Sequence, residues 1–124
     1  MLIEGGSMAP MLAPGDWALV VMPRRFAVGD VVVVEHPGRP SDEAAFEPGY
    51  EPRYEPGYEM VKRLVGAPGD RVADRKLGAH DFWVEGDMAS ASTDSRQFGP
   101  IPREALKAKV LLVYWPKHRR HLVR

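Results

Sequence analysis

The sequence predicts an all-β protein, mostly strand with minor helix, folded as one domain over residues 1–124. Three observations predict it. Short runs rich in β-branched and aromatic residues recur at 17–22, 31–35, 60–65, 82–85 and 109–115. Turn chemistry separates them: Ala13-Pro14-Gly15-Asp16 and Ala67-Pro68-Gly69-Asp70 each put Pro then Gly at the central positions of a type II turn. A length of 124 residues fills one core and leaves little room for a second.

Each element has its own justification. Trp17-Ala18-Leu19-Val20-Val21-Met22 follows the first of the two turns and reads as a strand. Val31-Val32-Val33-Val34-Glu35 is preceded by Gly29-Asp30 and closed by His36-Pro37; its β-branched run reads as a strand buried on both faces. In Met60-Val61-Lys62-Arg63-Leu64-Val65, period-two alternation places Met60, Lys62 and Leu64 on one face and Val61, Arg63 and Val65 on the other. Phe82-Trp83-Val84-Glu85 ends at Gly86-Asp87, and residues 109–115 form the last strand. Pro102-Arg103-Glu104-Ala105-Leu106 suits a single helical turn with proline at its first position.

Residues 39–59 differ in kind. They repeat Glu-Pro-x-Tyr three times (Glu47, Glu51 and Glu55 begin the repeats) and hold six acidic residues, Asp42, Glu43, Glu47, Glu51, Glu55 and Glu59, against Arg39 and Arg53. This composition favours polyproline II and reads as a solvated insert between two strands. The chain ends in a basic tail, Lys117, His118, Arg119, Arg120, His121 and Arg124, which reads as a solvated end capable of weak contact with anionic lipid.

Composition excludes several functions. Lys and Arg number 17 against 17 Asp and Glu, so the basic surplus that a nucleic-acid partner requires is lacking. With no cysteine there are no disulfides, thiolate nucleophiles or Cys-based zinc sites. His36, His80, His118 and His121 lack the spacing of a metal motif, so neither metal nor other cofactor is expected. The longest apolar runs, at 17–23 and 31–34, fall short of the roughly 18 residues a membrane span needs. Met1-Leu2-Ile3 runs straight into Glu4, unlike a signal peptide. The expected location is cytoplasmic or peripheral to a membrane.

The chemistry centres on Gly5-Gly6-Ser7-Met8-Ala9-Pro10-Met11-Leu12. Ser7 is the candidate nucleophile, in a segment where two glycines free the backbone while Pro10 and Pro14 oppose helix and hold it extended. Lys62 is the candidate base. Arginine keeps its proton in proteins, whereas a lysine desolvated between Met60 and Leu64 can lose it. Lowering its pKa from about 10.4 to about 7 takes roughly 5 kcal/mol, within reach of burial.

Ser7-Met8-Ala9-Pro10-Met11-Leu12, then residues 62–70 beginning Lys62-Arg63, then Gly86-Asp87 with Ser92-Thr93-Asp94-Ser95-Arg96, resemble in order the motifs of type I signal peptidases. The resemblance covers nearly the whole chain apart from the insert and the tail. It implies a β-barrel-type catalytic core shared with LexA-like proteins, a Ser/Lys dyad, and a serine endopeptidase that removes a signal or leader peptide from a precursor polypeptide by cutting at small side chains. Carried across by position, Ser7 is the nucleophile and supplies a backbone oxyanion donor, Lys62 is the general base, Ser92 orients the lysine, and Asp94 and Arg96 form a structural ion pair. The sequence departs from the family at Gly5, where some members carry an oxyanion-binding serine, and at Met88, where asparagine is common. The family's membrane anchor does not precede the serine here. In its shortness the sequence resembles the branch that includes maturation proteases of nickel superoxide dismutase, which act on a cytoplasmic precursor. Self-cleaving repressors share the dyad but need a cleavable segment and a DNA-binding domain upstream, and six residues precede Ser7. A non-catalytic peptide-binding domain on the same fold, capturing extended chains by strand addition, is the alternative of another class.

Overall fold

The computed structural model describes residues 1–36 and 58–124 of the chain. Strand β2 (Val31–Glu35) is its centre: Val31 and Val33 enter one apolar cluster, and Val32 and Val34 enter another. Its four valines are buried, as a β-branched run with no polar face requires. Antiparallel neighbours flank it on both sides, β3 (Glu59–Gly66) and β8 (Leu106–Trp115). The sheet continues to β1 (Trp17–Val21) beyond β8, and to β6 (Asp81–Glu85) and then β7 (Ile101–Pro102) beyond β3. A short hairpin of β4 (Arg71–Val72) and β5 (Arg75–Lys76) stands apart, and β9 (His121–Leu122) pairs with β8. The all-β class is as the sequence predicts. The expected barrel is not closed: among the described residues no ladder joins β1 to β7, so the sheet stays open.

Alternation in β3 follows the expected period. Met60, Lys62, Leu64 and Gly66 are buried while Val61, Arg63 and Val65 are half-buried. Glu59, assigned to the insert by sequence, instead opens β3 opposite Glu35, and Lys107 Nζ lies 3.2 Å from the Glu35 carboxylate to offset the like charges. The rest of the predicted insert lies outside the described residues, except Tyr58, whose carbonyl accepts from the His36 N–H at 2.9 Å.

Three Ala-x-Gly-Asp turns share one device, which Gly78 and Asp81 also use. In Ala13-Pro14-Gly15-Asp16, Ala27-Val28-Gly29-Asp30 and Ala67-Pro68-Gly69-Asp70, the Asp N–H donates to the Ala carbonyl at 3.0 Å. The Asp carboxylate accepts the Ala N–H at 2.9 Å in return. Each glycine has a φ near +90°, a conformation that disfavours other residues. The middle copy lacks proline, so the Pro-Gly pattern alone does not reveal it.

Two other expectations change. The turn predicted at 102–106 is a 3₁₀ turn, Arg103–Ala105, with Pro102 at its N-cap. The basic tail is folded, although Lys117, His118, Arg120 and Arg124 are exposed as expected: Lys117–Arg119 form a 3₁₀ turn, β9 pairs with Leu112 and Val113, and Val123 is buried in the first apolar cluster. Apolar burial at Val123 and an ion pair described below hold the tail against the rest of the chain.

Gly66 marks where β3, β6 and the β4–β5 hairpin meet. A Cβ there would lie 2.6 Å from Val72 Cγ2 and 2.8 Å from Leu77 Cδ1. Gly66→Ala is expected to destabilise the protein by about 1–3 kcal/mol through overpacking, read as a lower urea midpoint with unchanged m; an unchanged midpoint would mean the hairpin yields freely.

Candidate active site

Lys62 comes from the middle of β3, on the face it shares with Met60 and Leu64 and opposite Val32. Lys62 is only 4% exposed. Burial therefore pushes the ammonium pKa down from the usual lysine value; the Asp94 carboxylate pulls it back up, and the Arg96 guanidinium pushes it down again.

The polar contact of Lys62 is Ser92. Lys62 Nζ lies 2.8 Å from Ser92 Oγ, and Ser92 Oγ lies 2.6 Å from Asp94 Oδ2. Burial alone would raise the Asp94 carboxyl. Hydrogen bonds from Arg96, from the Ser92 hydroxyl and from the N–H groups of Gly86 and Arg96 outweigh it and hold Asp94 well below the usual carboxylate range. An ionised carboxylate only accepts, so the single Ser92 proton goes to Asp94 and the Ser92 oxygen accepts from Lys62. That order fixes the lysine: one Lys62 N–H is spent on Ser92, which orients the Nζ group.

Local sequence explains why residues 92–96 hold this shape. Asp94 is the N-cap of α1 (Ser95–Phe98), and its partner Gln97 completes a capping box, with Gln97 Oε1 accepting the Asp94 N–H at 2.9 Å. Strand β6 carries the loop: the Val84 N–H donates to Ser95 Oγ at 3.0 Å and the Gly86 N–H to Asp94 Oδ2 at 2.8 Å. Arg96 Nη2 reaches Asp94 Oδ2 at 2.6 Å and the Gly86 carbonyl at 3.2 Å. Lys62, Ser92, Asp94 and Arg96, marked separately in the sequence, thus form one connected chain of hydrogen bonds.

Ser7 reaches this chain through its backbone. Its carbonyl accepts the Met88 N–H at 2.8 Å, and a Cβ on Gly86 would stand 2.8 Å from it. Its hydroxyl donates to the Val61 carbonyl at 3.4 Å, one residue before Lys62, and among the described residues no hydrogen bond joins Ser7 to Lys62. No acceptor among the described residues takes the Ser7 N–H. The segment is not extended as the prolines suggested. It coils, with the Ala9 N–H donating to Gly6 and the Leu12 N–H to Met8, because burial of Met8 and Leu12 in the core draws residues four apart together. Of the two glycines only Gly5 has a positive φ, +80°.

Sequence reasoning passed over several residues. Arg63, dismissed as a base, grips Asp87 with two hydrogen bonds of 2.9 Å and touches Met11 Sδ at 3.6 Å, while the Asp87 N–H meets Met8 Sδ at 3.5 Å. Gln97 was legible, since Asp-x-x-Gln is a capping-box pattern. Gly86 was quoted as motif, not as a packing constraint.

The sequence model of the signal peptidase, peptidase S26, family matches residues 1–78 and 73–115 of the chain. The chain belongs to this family. It is 34% identical to mitochondrial ATP-independent inner membrane protease subunit 1a of Arabidopsis thaliana, over 92% of this chain and 68% of that protein. It is 32% identical to mitochondrial inner membrane protease subunit 1 of Schizosaccharomyces pombe, over 93% and 72%. The human protein of the same name is 25% identical over 94% and 69%. The chain is therefore similar to proteins named as subunits of mitochondrial inner membrane proteases.

Gly86 is the tightest point of the site, because a Cβ would come 2.3 Å from Ser92 Oγ and 2.6 Å from Ser92 Cβ. Gly86→Ala is expected to push Ser92 off Lys62 and lower peptidase activity by about 100-fold, the scale of a small misplacement, with an unchanged circular dichroism spectrum. Wild-type turnover by this variant would show that Ser92 moves without consequence.

Proposed function

We propose that this protein is a serine endopeptidase with a Ser7/Lys62 dyad that removes a signal or leader peptide from a precursor polypeptide, cutting at small side chains. The observation that carries the reading is a buried lysine, its charged form disfavoured by burial, held 2.8 Å from Ser92 Oγ, which donates its own proton to Asp94. A structural lysine on a strand edge would snorkel to water instead.

The steps follow from the geometry. Rotation about the Ser7 side chain exchanges its long bond to the Val61 carbonyl for one to Lys62. The neutral amine takes the hydroxyl proton as Oγ attacks the scissile carbonyl carbon. The Ser7 N–H holds the oxyanion, and Gly5 adds no hydroxyl to that task. The Lys62 ammonium then gives its proton to the departing amine, and water, deprotonated by Lys62, clears the acyl-enzyme. The relatives are named as inner-membrane proteases, which favours a precursor presented at a membrane over the cytoplasmic precursor of a nickel superoxide dismutase.

Location follows from a second observation. Among the described residues no helix is long and apolar enough to cross a membrane. Yet β1, β8 and β9 present an outward apolar face in register: Trp17 opposite Trp115, and Leu19 and Leu122 both opposite Leu112. Trp17, Leu19, Trp115 and Leu122 are each at least 40% exposed. Arg120, bonded to the Tyr114 carbonyl, lines the groove between Trp17 and Trp115. Indole rings beside cations suit the headgroup layer of an anionic bilayer, and we place this face against one. Binding to anionic phospholipid vesicles is expected at low salt, to weaken as salt rises, and to fall sharply in Trp17→Ser/Trp115→Ser. Equal binding by that variant would overturn the placement.

Tests of the dyad are direct. Ser7→Ala and Lys62→Arg should each lower kcat by about 10⁴-fold or more with the fold intact, and Ser92→Ala by about 100-fold with little change in KM. Activity should rise with pH through one ionisation below the ordinary lysine value, since the base is the deprotonated form of a group whose pKa is lowered. Stability should rise with pH across the same window, where the unfolded chain binds the extra proton. Substantial turnover by Lys62→Arg would remove Lys62 as the base.

A further inference from the structure

The folded tail ends in a second clasp on the nucleophile loop. Asp16 is 1% exposed, and its carboxylate accepts the N–H of Ala13, the residue that follows 7–12. Arg119, more than 100 residues away in sequence, covers it: Nε donates to Asp16 Oδ1 at 2.7 Å and Nη2 to Oδ2 at 3.0 Å. The same Nη2 lies 3.2 Å from the Pro10 carbonyl and 3.5 Å from the Met11 carbonyl. His121 Nε2 is 2.7 Å from the Met11 carbonyl. The opposite side of the loop is held by Met88 on the Ser7 carbonyl and by the Arg63–Asp87 pair at Met8 and Met11.

We propose that Arg119 is a positioning residue for catalysis, which sets the conformation of residues 7–12 through Asp16 and the Pro10 and Met11 carbonyls, and with it the aim of Ser7. The catalytic half of this statement rests on Ser7 as nucleophile. A fork is needed because one group must neutralise a buried carboxylate and reach two loop carbonyls together; an ammonium satisfies the first demand and cannot span the second. Lysine at 119 therefore separates positioning from stability.

The experiment compares wild type, Ser7→Ala and Arg119→Lys by three readouts: thermal midpoint, kinetics on a leader-peptide substrate, and amide hydrogen exchange. Arg119→Lys is expected to melt close to wild type, to lose about 10-fold or more in kcat with KM within about twofold, and to exchange faster at residues 8–12 while β2 and β3 stay protected. Wild-type kcat and unchanged exchange at 8–12 would overturn the positioning role while leaving the serine mechanism standing, provided Ser7→Ala is inactive. If Ser7→Ala cleaves like wild type, the serine mechanism falls. Exchange at 8–12 then decides for the loop: faster exchange in Arg119→Lys upholds the clasp, and unchanged exchange overturns it.

Discussion

The burial of one amine organises this molecule. An ammonium in the middle of β3 loses its hydration, and the Asp94 carboxylate nearby would by itself restore the charge by attraction. Burial outweighs that attraction, and Arg96, which takes Asp94 at 2.6 Å, offsets part of it. With the Asp94/Arg96 pair close to neutral as a unit, desolvation governs Lys62. The ion pair is thus more than a brace: it supplies an acceptor that orients Ser92, while its guanidinium offsets part of the carboxylate's pull on the Lys62 proton.

The sheet exists to make that burial tolerable. β2 is apolar on both sides, so it must be covered twice, and the two clusters that cover it leave β3 deep enough for a lysine to be enclosed. β6 then contributes through its backbone: the N–H groups of Val84 and Gly86, free at the strand's end, hold Ser95 and Asp94. Gly86 is fixed by this arrangement, since the Ser92 side chain occupies the space in which any larger residue's Cβ would sit.

Much of this was legible in the sequence, for reasons that can be named. β1, β2, β3, β6 and β8 announce themselves by β-branched runs between Gly-containing turns, and period-two alternation put Lys62 on the face with Met60 and Leu64, where it lies. Gathering Lys62, Ser92, Asp94 and Arg96 needed the order of three motifs, because no local rule links residue 62 to residue 92. The short pairings β4, β5, β7 and β9 carry no period, since two residues are too few to show one. The tail misled because a charge run normally means solvent; Arg119 finds Asp16 only after the chain has closed on itself. The coil at residues 7–12 was read as extended because proline dominates local reasoning, whereas Met8 and Leu12 follow the core.

That coil is where the two halves of the chain meet. Ser7 leaves a loop whose apolar side chains are anchored below and whose backbone is gripped from two directions, by Met88 and the Arg63–Asp87 pair and by Arg119 with His121. Lys62, by contrast, comes from the middle of β3, which is paired on both sides. In the proposed dyad a loop residue must meet a strand residue, and the contacts that hold the loop set that approach. The long 3.4 Å bond from Ser7 to the Val61 carbonyl fits that division: the backbone of the loop is held, and under the proposed mechanism a side-chain rotation would carry the hydroxyl from this carbonyl of β3 toward Lys62.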